Sequence, residues 1–538
     1  MSQTEPLAIR ALRGPNRWAP CPVLEVTSSD IDIAAATIAL QISCGAKVSF
    51  CAAGAHQIAI EFEDEELARR CLDAALHPPA DLAALREFAD DVILGPNTRA
   101  IFDAARLRDI PVRRLDQGSL LQLGHGIHQR RMCGAETDRT SSIGENLGWE
   151  KPLAKQLLRA VGIPTPEGRL VSDSADACRA AAELGGPVVV KPEAANHGRS
   201  VFIGLTDPVE ITTAYEAARA EGEGTNVLVE RCIPGAEHRI LVVNHRVAAA
   251  TRGDELTITG DGVRTLAQFM NELNRDPRRG AAAEAPLSPV GFDNVTLAVL
   301  ARQGYQCDSV PPAGKRVLIQ RNGNLAVDVT DQVHPDNAAL VVLAARTIGI
   351  DVAGVDLVVE DIGRPIREQG GAVLEVNAMP GIMMHLHPGI GAPRPVHEII
   401  VEAVFPRGAD GRIPIVAVHA GPNSNVIAQE IARQLSATGL TVGLTTSDGT
   451  FVDGQLTRAG CCATSQAAAD LLLHPMIQAA VFETPGDAIL NEGLAFDRCD
   501  VAVITGPATA ATPVLLATLA PNGAVVQTAA EAVRALSA

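Results

Sequence analysis

Short apolar runs broken by single polar residues alternate along this chain with longer stretches in which apolar residues return every three or four positions, a rhythm that predicts strands interleaved with helices. In residues 1–147 the segments PVLEVT, KVSFCAA and QIAIEFE read as strands and DEELARRCLDAAL as a helix, giving a small N-terminal α/β domain. From Trp149 the texture changes. EKPLAKQLLRAVGIPTPEG predicts a helix that ends near Gly162, with Pro164 and Pro166 just beyond it to stop its continuation. GGPVVVKPEAANHGRSVFIG predicts a buried strand, a lysine, a small-residue turn and a second strand, and NVLVERCIPGAEHRILVV predicts two strands about a short turn. Residues 251–320 are rich in turn signals (GDG, NRDPRRG, VPPAG) and predict a long irregular insertion around a short helical patch, the kind of segment that is either a functional lid or disordered. HPDNAALVVLAARTIGI is amphipathic and helical in period, and it leads into AGVDLVVEDIGRPIREQGGAVLEVNAMPG, whose runs GVDLVV and AVLEVN predict adjacent strands of a hairpin. Beyond residue 406, RIPIVAVHAGPNSNVIAQEIARQL opens another α/β alternation as strand, turn and helix.

Composition narrows the class without changing this picture. With 538 residues and 47% apolar content the chain can bury several cores, so two to four domains are expected. A net charge of −18 argues against a nucleic-acid surface, because phosphate backbones are held by clustered positive charge. The 11 cysteines contain no CxxC pair, which fits reduced thiols in the cytoplasm better than a zinc ribbon or a disulfide framework. No run of about 18 apolar residues is present to cross a membrane, and MSQTEPLAIR has no apolar signal core. A soluble, cytoplasmic protein with no nucleic-acid or membrane partner is expected.

Candidate chemistry gathers in the middle third. Asp356 interrupts the first strand of the hairpin, and Glu375 and Asn377, two apart in the second, leave one face of the sheet. Such hard oxygen ligands suit Mg2+, which binds through one or two carboxylates, water and substrate phosphates; the alternative is a solvated strand face. Lys191, between an apolar run and a small-residue turn containing Gly198, can bring an ammonium and backbone N–H groups to phosphates. Glu230 and Glu237 flank a turn between strands, where carboxylates can accept hydrogen bonds from an adenine amino group or ribose hydroxyls. His125 and His128 stand three apart, yet no acid lies at metalloprotease spacing, so surface or substrate-lining roles are expected. The turn AGPNSNV at Ala420–Val426 occupies the position of a phosphate loop but lacks GxxxxGK[ST], so the C-terminal α/β segment is read as a Rossmann-like domain that binds no nucleotide.

Taken in order, RALRGPNRW, ADDVILGPNT, IPVRRLDQGSLLQLG, AETDRTS, KQLLRAVGIPTPEG, NRDPRRG, GYQCDSVPPAG, REQGG, EVNAMPG and TVGLTTSDGTFVDG resemble segments of the cyanophycin synthetase family over nearly the whole length. The resemblance implies an α/β and α+β multidomain protein: an N-terminal domain over 1–147, an ATP-grasp ligase domain over 148–406 and a partial Mur-ligase-like domain over 407–538. In that family the ATP-grasp part converts a carboxylate to an acyl phosphate that an amine then displaces. Carried over by position, Lys151 and Lys191 are similar to the nucleotide-phosphate lysines, and Glu230 and Glu237 to the adenine-side and ribose-side acids. Asp356, Glu375 and Asn377 match the magnesium ligands, and Arg321 in QRNGNL is the candidate for stabilising the oxyanion of the tetrahedral intermediate.

The departures refine the expectation. The absent phosphate loop and a C-terminal segment that stops short resemble the second type of cyanophycin synthetase, which joins preformed β-aspartyl-arginine dipeptides at the ATP-grasp site alone. An HxxEH segment of some relatives is missing, and NLAVDVTD runs from Asn324 to Asp331 without the insertion that borders the acceptor pocket in the family. The expected protein is therefore an ATP- and Mg2+-dependent carboxylate–amine ligase acting on an amino acid, a dipeptide or a peptide polymer, as a homodimer or larger homo-oligomer. A ligase that makes a small discrete amide and a catalytically silent peptide-binding partner of an active synthetase remain the alternatives.

Overall fold

A computed structural model describes residues 8–193, 200–221, 226–276, 278–280, 287 and 289–537. They fall into two compact units, one formed by residues up to 94, 105–131 and 409 onward, the other by residues 95–104 and 132–408.

In the first unit the N-terminal strands β1 (Ile9–Leu12), β2 (Val23–Val26), β3 (Cys51–Ala53) and β4 (Ile58–Glu61) form an antiparallel sheet in the order β1-β2-β4-β3. Helices α1 (Ile31–Ser43) and α2 (Glu65–Leu76) cover it, each opened by an aspartate, Asp30 or Asp64, whose side chain accepts from a first-turn N–H. Leu24, Val26, Ile58 and Ile60 meet Ala34, Ile38, Ala68 and Leu72 in the core between them. The C-terminal residues belong to the same unit: the Arg13 N–H donates to the Glu492 carbonyl at 2.8 Å, and the Leu494 N–H to the Pro15 carbonyl at 2.8 Å.

The second unit carries two sheets. The smaller contains β5 (Gly168–Val171), β6 (Val188–Pro192), β7 (Phe202–Leu205) and β8 (Val227–Arg231) in the order β7-β6-β8-β5. Its apolar face packs on α5 (Ser174–Leu184) and α6 (Pro208–Glu221) through Val188, Val190 and Val229 against Ala177, Ala181 and Ile211. Preceding it, α3 (Ser142–Trp149) runs into α4 (Lys151–Ala160), which ends two residues before Gly162 as its sequence predicts. The larger sheet holds β9 (Ala236–Val243), β10 (Arg246–Thr259), β11 (Arg316–Asp328), β12 (Val352–Val359) and β13 (Ala372–Asn377) in the order β11-β10-β9-β12-β13. One face of it is closed by α9 (Pro335–Ile348), whose Leu340, Val341, Ala344 and Ala345 pack on Ile240, Val242 and Val355.

The segment between β10 and β11 differs from its expectation. Instead of an irregular insertion, the two strands run on as a long antiparallel ribbon that pairs Thr257 with Leu318 and Thr259 with Arg316. Between them lie α7 (Leu266–Leu273) and α8 (Asn294–Arg302). Ile258, Leu266, Phe269, Met270, Leu300, Val317 and Ile319 form a separate small core. The turn signals that suggested a loop mark the ends of these elements rather than a lack of them. His125 precedes a single 3-10 turn, Gly126–His128, and His128 ends it.

The C-terminal part of the first unit is an α/β layer of seven strands: β14 (Ile415–His419), β15 (Val442–Thr446), β16 (Gly449–Val452), β17 (Gln455–Ala459), β18 (Ala479–Glu483), β19 (Cys499–Ile504) and β20 (Leu519–Val526). Their order is β17-β16-β15-β18-β14-β19-β20, with parallel pairing from β15 to β20 and antiparallel pairing at the β17 edge. The near-continuous apolar runs IVAV, AAVF and VAVI are what a sheet covered on both faces requires.

Candidate functional site

Pairing in the hairpin places the acids. Asp356 on β12 is the direct partner of Glu375 on β13, and Gly354 is the partner of Asn377, so the three side chains rise from one face as their spacing predicts. On β9 Arg239 lies opposite Asp356, and Glu237 is two residues away on the same face. Asp356 is 3% exposed. The Arg239 guanidinium holds it through two contacts, Nη2 donating to Oδ2 at 2.9 Å and Nε to Oδ1. The Asn377 amide donates to Asp356 Oδ2 at 3.0 Å and to Glu375 Oε1 at 3.1 Å. Glycine at 354 is what makes room for this arrangement, since a Cβ there would stand 2.9 Å from Arg239 Nη1 and 2.9 Å from Pro380 Cβ.

The two carboxylates carry unequal charge. Burial drives the Asp356 pKa well above the usual carboxylate range; Arg239 opposes the rise, while Glu375 and Glu237 add to it. Burial also works against ionisation of Glu375, but Lys151, the bond with Asp356 and Lys191 outweigh it and hold the group down at about 2. Lys151, the first residue of α4, places its Nζ 3.5 Å from Glu375 Oε2. Burial raises Glu237, Arg239 opposes it and Glu375 reinforces it. This face therefore holds more carboxylate than its own cations neutralise.

A second cluster sits on the small sheet. Val189 pairs with Glu230 and Lys191 with Leu228, so Lys191 and Glu230 are diagonal neighbours on one face. Lys191 Nζ is 3.0 Å from Glu230 Oε2, and Lys155, one helical turn after Lys151, contacts Glu230 Oε1. Glu230 thus lies between two ammonium groups, and its pKa is lowered: burial opposes ionisation but Lys191 and Lys155 overcome it. Burial and the neighbouring Lys191 bring Lys155 down to about 8, although Glu230 pulls the other way. Lys191 is held above the usual lysine range, Glu230 and Glu375 outweighing its burial.

The structure brings Lys151, Lys191, Glu230, Glu237, Asp356, Glu375 and Asn377 onto the elements just described. Gly198 lies outside the described residues, and Arg321 contributes backbone to β11 while its side chain is outside them. Two residues that sequence reasoning passed over complete the clusters. Lys155 was signalled by its four-residue spacing from Lys151 in KPLAK, and Arg239 by its two-residue spacing from Glu237 along a strand.

Among the described residues no group of three or more His, Cys, Asp and Glu side chains is arranged to hold a metal alone. Two carboxylates and an amide on one face are instead the short donor set that Mg2+ completes with water and substrate phosphate. Rotating the Asn377 amide by half a turn presents its Oδ1 where Nδ2 now donates, and the surplus negative charge around Asp356 is what a divalent cation would offset. The residues present therefore fit that ion.

Residues 147–247 match a family model described as an ATP-grasp domain. The chain is 36% identical over 472 residues to a cyanophycin synthetase of Trichormus variabilis, covering 84% of this chain and 52% of that protein. It is also 36% identical over 430 residues to a cyanophycin synthetase of Synechocystis sp., covering 79% of this chain and 49% of that protein. A glutathione biosynthesis bifunctional protein GshAB of Desulfotalea psychrophila is 28% identical over 266 residues, covering 48% of this chain and 34% of that protein. The chain spans about half the length of the cyanophycin synthetases it matches.

Proposed function

We propose that this chain, which belongs to the cyanophycin synthetase family, is an ATP-dependent carboxylate–amine ligase that forms peptide bonds through an acyl phosphate, joining β-aspartyl-arginine or a close relative into a cyanophycin-like polymer. The observation that carries the reading is the paired arrangement in the second unit: Lys155 and Lys191 about Glu230 of one sheet, and Lys151 with Glu375, Asn377, Asp356 and Arg239 at the other.

In the proposed reaction a substrate carboxylate oxygen attacks the γ-phosphorus of ATP, the bond to the β,γ-bridging oxygen breaks and ADP leaves. The acceptor amine then attacks the acyl carbon, phosphate departs with its electron pair and the nitrogen loses a proton. Both partners of the first step are anionic, so the protein's task is to neutralise and position them. Lys191 and Lys151 supply ammonium groups for the phosphates, and Glu230 and Glu375 hold those groups in place. Asp356, Glu375 and Asn377 would hold Mg2+, which when bound offsets phosphate charge and polarises the phosphoryl oxygens. Arg239 orients Asp356, and Asn377 ties the two carboxylates together. Glu237 is assigned to the nucleotide's ribose, Arg321 to the developing oxyanion and Gly198 to backbone contact with phosphate.

Phosphate release with ATP and β-aspartyl-arginine tests the reading, with product length followed by mass spectrometry. ATP- and dipeptide-dependent release is expected, falling by about 100-fold or more in Glu375→Ala, the scale of losing one preorganised charge partner. Release without dipeptide dependence, or full activity in Glu375→Ala, would refute it. Short soluble products only would replace polymer with a small amide.

A further inference from the structure

The motif GPNT, residues 95–98, lies by sequence in the N-terminal part of the chain, yet residues 95–104 belong to the second unit. They open the helix Pro96–Leu107, which buries Thr98, Arg99 and Ile101. Asn97 is only half-buried and spends its side chain on a distant element: its Oδ1 accepts from the Ile382 N–H at 3.0 Å, across 285 residues. Ile382 is fully buried, and it closes the turn 378–382 that leaves Asn377 at the end of β13.

That turn belongs to no helix or strand, so neither a ladder nor helical bonds fix it. Its backbone is also held in an unfavourable shape. Met379 has φ 45°, in the left-handed region that a residue other than glycine seldom occupies. It precedes Pro380, whose ring presses its neighbour toward extended backbone. Strain of this kind persists only where the surroundings over-determine it, and it gathers at functional sites. Three contacts supply the constraint here. Asn97 holds the far end of the turn at Ile382. Met379 lies over Gly134, in the tight turn between Cys133 and Glu136, where a Cβ would stand 3.2 Å from Met379 Cγ. Pro380 lies over Gly354, the strand partner of Asn377. Of the three, only the Asn97 contact is a directional hydrogen bond.

We propose that Asn97 is a positioning residue for the carboxylate face. By pinning Ile382 it sets the turn from which the Asn377 amide reaches Asp356 and Glu375, and so aims the amide oxygen that would complete a divalent cation's donor set. Asn97 acts through Asn377, and a helix that the sequence places in the N-terminal part thereby helps to build the site of the second unit. The effect expected on turnover rests on the ligase reading; the effect on cation binding does not.

Mn2+ binding to the full chain in the presence of ADP, followed by electron paramagnetic resonance, tests it without turnover. Asn97→Ala removes the acceptor, Asn97→Gln carries the amide one methylene out of place, and Asn97→Asp keeps an oxygen at the same reach. Mn2+ affinity is expected to fall by about 10–100-fold in the Ala and Gln variants, the scale of losing a group that orients a metal ligand, and to stay within about threefold of wild type in the Asp variant. Hydrogen exchange at the Ile382 amide should quicken in the same two variants and not in the third. In phosphate release kcat should follow the same order, while KM for ATP moves by less than about threefold because Lys191 and Glu230 stand on other elements. Should Asn97→Ala not fold, the contrast between Gln and Asp decides. Absence of Mn2+ binding by the wild type, wild-type affinity in Asn97→Ala or Asn97→Gln, or an equal loss in Asn97→Asp would overturn the proposal. Absence of phosphate release from the wild type would instead sink the ligase reading and leave the Mn2+ measurement to decide this one.

Discussion

Glu230 is placed where its removal has a calculable effect. Glu230→Gln preserves volume but leaves Lys155 and Lys191 facing each other without a counter-ion. At 3.0 Å the attraction between Glu230 and Lys191 amounts to about 5 kcal/mol at an effective dielectric constant of about 20. The Lys155 and Glu230 side chains are 3% and 4% exposed, so solvent screens little of their contact. Desolvation of the three groups offsets part of this, and breaking a buried pair is expected to cost about 3–5 kcal/mol at pH 7. The structure also says how the variant can escape: Lys155, already brought down to about 8, gives up its proton first. The unfolded chain keeps its lysines protonated up to the ordinary lysine pKa of 10.5, so over this interval it binds more protons than the folded variant, and stability rises with pH. The wild type gains in the same direction only above about pH 8, so the gap between the two should narrow by about 1 kcal/mol between pH 7 and 9. Urea unfolding followed by circular dichroism measures the cost, and hydrogen exchange in β6 and β8 assigns it to this sheet. Adding Lys155→Met to Glu230→Gln should recover part of the loss. A cost below about 1 kcal/mol, or one that neither pH nor the second substitution changes, would refute the argument that Glu230 exists to hold two lysines.

Two further outcomes are expected. His385 is 1% exposed with neither ring nitrogen hydrogen-bonded among the described residues, and burial, with Arg239 nearby, brings its pKa down to about 3. Its neutral form is therefore favoured in the fold, and stability present above pH 6.5 is lost as the pH falls toward 3, by about 2 kcal/mol at pH 5; acid titration of stability should flatten by that amount in His385→Leu, and an unchanged profile would count against it. Gly354→Ala inserts a methyl group against Arg239 and Pro380, costing about 1–3 kcal/mol and displacing Arg239 from Asp356; unaltered thermal stability would show that the strand yields there without loss.

Much of the second unit could be read from residue order, because its signals are local. Alternation in GVDLVV and AVLEVN determined two strands, the period of two put Glu375 and Asn377 on one face, and Gly162 with two prolines ended α4. The same reading misjudged the stretch between β10 and β11, where turn residues at element ends outweighed a weak strand pattern and the small core of Phe269, Met270 and Val317 becomes visible only when distant residues meet.

The remainder was decided by tertiary structure. Lys155 is one more helical lysine in sequence, and it becomes a partner of Glu230 only because α4 packs where it can reach β8; the two are 75 residues apart. Arg239 meets Asp356 across 117 residues because β9 and β12 pair in one register. The N-terminal sheet and the C-terminal α/β layer share a unit through backbone bonds such as Arg13 to Glu492, for which no periodicity or motif gives a sign. The residues on each strand and helix, and the faces they occupy, follow from backbone geometry that every short segment carries within itself. Which faces meet, and therefore how buried charges divide their protons, depends on the packing of segments far apart in the chain.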